Sequence, residues 1–125
     1  MPLIDITCGP TVTDGTRTRL AEVLPDAVSL AVQCTDEPYD HHLQPGDVLI
    51  RFHEVGPFDR FDIDVLVEVK SKWFSDRAQD RQRRAEAIHD AVRNVIADEQ
   101  TAGVYLTLPV AAWDQSDSEA SGPVP

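Results

Sequence analysis

Met1-Pro2-Leu3-Ile4-Asp5-Ile6 opens the chain, and Val65-Leu66-Val67-Glu68 returns to the strand pattern of Leu3 to Ile6 at an offset of 62 residues. Both runs are short, apolar and partly β-branched, as a buried strand requires. At the same offset each is followed by a polar helix start, Thr13-Asp14 and then Ser75-Asp76. Apolar stripes at three- and four-residue spacing come next: Leu20, Leu24, Ala27, Val28 and Ala31 in the first half, and Ala85, Ile88, Val92, Val95 and Ile96 in the second. Val48 to His53 and Val104 to Leu108 are the β-rich runs that close the two halves.

A pattern that repeats near half the chain length predicts two βαβ units related by an approximate two-fold axis. Parallel strands joined by right-handed helical crossovers give an α/β (α+β) fold, a four-stranded sheet with two helices on one face. The expected organisation is a single domain over residues 1–113, with repeats at about 2–60 and 61–113, and a flexible acidic tail over 114–125. Thr35 to Gly46, with Pro38 and Pro45, reads as a loop, and Ile63 to Val69 as a strand. Pro25 is expected to kink or divide the first helix, and Gly103 to end the loop before the last strand. Arg77, Arg81, Arg84 and Arg93, mixed with Asp76, Asp80, Glu86 and Asp90, read as a solvated or salt-bridged helix face. Helices on one side only would leave an apolar sheet face, so oligomerisation is expected.

The chain carries 22 acidic and 11 basic residues in 125, a formal charge of -11, which argues against nucleic acid or anionic lipid as partners. It has no apolar run long enough to span a bilayer and no basic-then-apolar leader, so a cytoplasmic protein is expected. Cys8 and Cys34 are the only cysteines, form no CxxC motif, and read as reduced thiols. Cys34, His41, His42 and His53 match no standard ligand spacing, so no metal site is expected.

Pro2 is the residue with chemistry to offer. A residue as small as proline in second place permits an aminopeptidase to remove Met1, which turns Pro2 into a secondary amine held at a strand end. An α-amino group titrates at about 7.7 to 8.0 when unperturbed, and burial or nearby cations lower it toward the range useful for proton transfer at neutral pH.

With Pro2, the duplicated βαβ pattern and the Thr13-Asp14 and Ser75-Asp76 helix starts, the chain resembles the tautomerase superfamily across nearly all of residues 2–113. Within it the resemblance is to the malonate semialdehyde decarboxylase-like subgroup. That resemblance implies an amino-terminal catalytic proline, here Pro2, and assembly as a homotrimer. It implies a water-positioning or water-activating aspartate at Asp47. Lys70 and Lys72 fall where the family holds the substrate carboxylate with a pair of arginines, and Trp113 falls at an aromatic position lining the pocket. The lysines depart from the family pattern, since lysine supplies charge without arginine's planar two-pronged fork. The expected activity is proton transfer on a small oxo- or enol-carboxylate, by an isomerase (tautomerase) or a carboxy-lyase (decarboxylase). Neither a metal nor an organic cofactor is implied. Two alternatives stand beside it: a non-catalytic trimeric binding or assembly protein on the same scaffold, and a hydrolase resembling the 3-haloacrylate dehalogenases.

Overall fold

Strict alternation makes the first strand, β1 (Leu3–Cys8): Ile4, Ile6 and Cys8 are buried while Leu3, Asp5 and Thr7 face the other way. Its counterpart β3 (Val65–Lys70) does the same with Val65, Val67 and Val69. The two strands start and end 62 residues apart, at the offset found in the sequence. The structure, a computed structural model, describes residues 1–35 and 46–116. Most of the loop expected over Thr35 to Gly46, and the tail beyond Ser116, lie outside the described residues.

The described sheet has four strands in the order β2-β1-β3-β4, with β2 spanning Leu49–Glu54 and β4 spanning Ala102–Thr107. β1 pairs with β2 and β3 with β4 in parallel, while β1 and β3 meet antiparallel at the centre. Two parallel units joined by a central antiparallel pair are what a two-fold repeat of βαβ requires. Helix α1 (Asp14–Ala31) packs Leu20, Leu24 and Val28 onto the sheet, and α3 (Arg81–Arg93) packs Ile88 and Val92 beside them. With Val12, Val32 and Ile96 these side chains form one core on one face of the sheet.

Local chemistry sets the ends. Thr13 caps α1, its Oγ1 accepting from the Thr16 amide at 3.2 Å. Ser75 does not cap as expected: it is the first residue of a short helix α2 (Ser75–Gln79), which follows Phe74 and breaks at Asp80 before α3 begins. Pro25 neither divides nor ends α1, which runs unbroken for 18 residues. The carbonyl deprived of a donor by Pro25 belongs to Ala21, which is exposed to solvent. Gly103 lies inside β4 rather than before it, because pairing with Leu66 extends the strand. A side chain at 103 would meet Ile63 Cδ1 at 3.3 Å, so glycine fits that register.

Two expectations about surfaces are corrected. Arg77 is not on a solvated face but is 2% exposed. The helix breaks at Asp80, and Arg77 on the α2 side of the break reaches the end of α1, its Nε donating to the Val32 carbonyl at 2.8 Å. The sheet face away from the helices is not an apolar surface either. Arg51, Asp5, Glu68 and Tyr105 lie in one row across the four strands, between Leu49-Leu3-Lys70-Thr107 and His53-Thr7-Leu66-Gly103. Among the described residues no helix is long and apolar enough to cross a membrane.

Candidate active site

Backbone pairing continues past the ends of β3 and β4. The Ser71 amide donates to the Thr107 carbonyl at 3.1 Å and the Trp73 amide to the Pro109 carbonyl at 2.9 Å. This pairing leads the chain after β4 back to the start of β1. There Met1, Leu3, Lys70, Ser71, Lys72, Pro109, Ala111, Ala112 and Trp113 line a cavity of about 210 Å³. Three segments distant in sequence therefore meet beside the Met1-Pro2 bond.

Two lysines, Lys70 and Lys72, and no acidic residue are among the lining residues, although the surface they turn to the cavity is mostly apolar. In a chain of net charge -11 this is a local concentration of positive charge, suited to a small anion. Trp113 supplies an apolar wall, and its indole N–H donates to Gln115 Oε1 at 2.7 Å, which leaves the ring as its contribution to the cavity. Leu3 and Trp113 also line a neighbouring cavity of about 410 Å³ together with Ile4, Leu49, Ile50 and Arg51.

Lys70, Lys72 and Trp113 are thus brought together, and Pro2 is covalently flanked by two lining residues, Met1 and Leu3. The Pro2 carbonyl accepts from the Leu49 amide at 3.2 Å, which fixes residue 2 against β2. Asp47 is exposed and lines neither of these cavities; it lies two residues before that bond.

The sequence reading missed two arrangements. On the open sheet face Asp5 Oδ1 lies 2.7 Å from His53 Nε2 and 3.1 Å from Arg51 Nε, and Asp5 Oδ2 accepts from Arg51 Nη2 at 3.3 Å. The His53 hydrogen bond holds the Asp5 carboxyl below the usual carboxylate range, with Arg51 adding to it and burial opposing it. Alternation alone put Asp5, Arg51 and His53 on outward faces, but their meeting depends on a strand register that the sequence does not state. The second arrangement is the buried Arg77, whose Nε donates to the Val32 carbonyl at 2.8 Å and whose Nη1 donates to the Lys72 carbonyl at 2.6 Å. Nothing in the helical pattern distinguished it from its exposed neighbours.

Burial pushes the Cys8 thiol up, so it is not a ready nucleophile. Both cysteines are free. Of the four residues weighed for a metal, His41 and His42 lie outside the described residues. Among the described residues no group of three His, Cys, Asp or Glu side chains is arranged to hold a metal ion.

The strand order, the layer of helices on one face and the central antiparallel pair together define the class: the chain has a tautomerase-like βαβ fold. No protein-family model and no curated protein sequence matches the chain. Among solved structures it is similar to a malonate semialdehyde decarboxylase described with decarboxylase and hydratase activities, at 16% identity and TM-score 0.63, covering 94% of this chain and 93% of that one. It is similar to MIF2 of Leishmania major, at 14% identity and TM-score 0.58, covering 94% and 97%. A fused 4-OT, described as a symmetric trimer, matches at 15% identity and TM-score 0.55, covering 86% and 85%.

Proposed function

We propose that this chain is an enzyme in which Pro2, freed by removal of Met1, transfers protons on a small oxo- or enol-carboxylate held by Lys70 and Lys72. One observation carries the reading: Met1, Lys70, Lys72 and Trp113 line a single cavity at the start of β1. Once Met1 is gone, the Pro2 nitrogen borders the space that Met1 lined. Two ammonium groups beside it favour its neutral form and attract the substrate's carboxylate. The likeness to solved tautomerases and to a decarboxylase supports the same reading.

Two reactions use these parts. As a tautomerase, neutral Pro2 removes a proton from one substrate atom and returns it to another carbon, while a lysine ammonium stabilises the enolate oxygen formed between the two steps. As a decarboxylase, protonated Pro2 polarises the β-carbonyl. The bond between the carboxylate carbon and the α-carbon breaks, its electron pair passes into the enol, and carbon dioxide leaves. In a separate hydratase side activity, Asp47 would order the water. We further propose a homotrimer built on the sheet face away from α1 and α3, a reading supported by the likeness to a fused 4-OT described as a symmetric trimer, and a domain ending near residue 113.

The test is a correctly processed Pro2→Ala variant assayed on phenylenolpyruvate, 2-hydroxymuconate and malonate semialdehyde. Turnover by the parent on at least one of them and its loss in the variant are expected; undiminished turnover by the variant would falsify the mechanism. Intact-mass measurement should show the native chain without Met1, because Pro2 nitrogen in an amide has no useful basicity.

A further inference from the structure

Arginine is always charged, and burying it without a task is costly. Arg77 is 2% exposed, yet it is not among the residues lining the cavity at the start of β1. Its guanidinium spans two separate pieces of backbone, the Val32 carbonyl at the end of α1 and the Lys72 carbonyl, and lies 5.6 Å from the centre of the Phe74 ring. The amides of Ser71 and Trp73 are already held by carbonyls beyond β4. Arg77 supplies the donor for the carbonyl between them. All three consecutive residues, 71 to 73, are therefore anchored through the backbone. The far end of this brace is firm as well, since Arg84 Nη1 donates to the neighbouring Ala31 and Gln33 carbonyls at 3.1 and 2.6 Å.

We infer that Arg77 is a positioning residue for Lys72, clamping its backbone to the end of α1 so that its ammonium is presented to the substrate carboxylate at one place. The inference rests on the proposed role of the lysines. It follows from geometry that lysine does not match: one planar group donates from two separate nitrogens, Nε and Nη1, to two carbonyls of different segments, whereas an ammonium offers all its donors from one atom. Loosening the clamp lets Lys72 wander, and misplacing a positioning group by about 1 Å can cost up to about a hundredfold in rate.

The experiment is a double-mutant cycle on Arg77→Lys and Lys72→Met, with malonate as a non-reacting carboxylate probe and its affinity read by calorimetry. Arg77→Lys is expected to weaken malonate binding on the order of tenfold in the native background. With Lys72 already replaced it should change affinity less than about twofold, because the group it positions is gone. A purely structural role would produce equal losses in both backgrounds and overturn the inference. Arg77→Gln, which removes the buried charge, runs the same cycle if the lysine variant does not fold. Malonate affinity unaffected by Arg77→Lys but reduced by Lys72→Met overturns this inference alone. Affinity unaffected by Lys72→Met overturns the lysine grip itself, and the inference with it.

Discussion

His53 Nε2 lies 2.7 Å from Asp5 Oδ1, across the parallel pair of β1 and β2 on the sheet face away from α1 and α3. Only 14% of the Asp5 side chain is exposed, and Arg51 closes on it from the same strand as His53. The ionised carboxyl is favoured first by the His53 hydrogen bond and then by Arg51, and burial opposes both without reversing the outcome. A carboxyl depressed in the folded state stabilises the fold at pH above its unfolded value, about 3.9, and the contribution is lost as pH falls through the folded value. Urea denaturation midpoints of the native chain and Asp5→Asn should differ above about pH 5 and draw together progressively as the pH falls from about 4 toward 2. A difference independent of pH down to 2 would mean that the carboxylate's charge does not matter.

Leu24 and Leu30 share α1 but not its environment: Leu24 is fully buried and Leu30 is 72% exposed. Leu24→Ala should cost about 2–5 kcal/mol, because the sheet on one side and the helix on the other limit collapse into the space left behind. Leu30→Ala should stay within about 0.5 kcal/mol of the native value. Equal losses at both positions, by urea denaturation, would show that the outer face of α1 is covered in solution.

Gly46 holds φ at +94°, and its amide donates to Ser29 Oγ at 2.8 Å, which docks the chain before β2 onto α1. Gly46→Ala should destabilise by about 1–2 kcal/mol through the backbone conformation itself. A new Cβ would also sit 2.7 Å from Asp26 Oδ1, but that atom ends a flexible side chain. Adding Asp26→Ala should therefore restore little of the loss. Full restoration would assign the cost to the side-chain clash instead.

What could be read from the sequence was what is local. The alternation in Leu3 to Ile6, its repeat from Val65, and the stripes through Leu24 and Ile88 each need only a few neighbouring residues, and they sufficed for the sheet and the two helices packed on it. Lys70, Lys72 and Trp113 were singled out by resemblance, and their common cavity depends on the pairing of residues 71–73 with 107–109. Arg77 escaped notice because a helical pattern reports which face a residue is on only while the helix is continuous. The break at Asp80 removes that premise. The Asp5–Arg51–His53 group escaped for a similar reason, since a one-residue slip of β2 would place the same side chains on the opposite face.

The direction of the pH–rate profile separates the two chemistries proposed for Pro2. A tautomerase needs the amine neutral, so kcat/KM should rise with pH as Pro2 loses its proton. A decarboxylase needs it protonated, so kcat/KM should fall over the same range. Removing one ammonium from the lining makes the assignment specific, because a neighbouring cation disfavours the charged amine. Lys72→Met should therefore move the Pro2 midpoint upward in either case. In a tautomerase that shift lowers kcat/KM at pH 7 beyond the loss of carboxylate grip, and in a decarboxylase it extends the active range to higher pH. A midpoint that stays in place when Lys72 is replaced, in an enzyme whose turnover depends on Pro2, would mean that the ammonium and the amine do not share the cavity in the working protein.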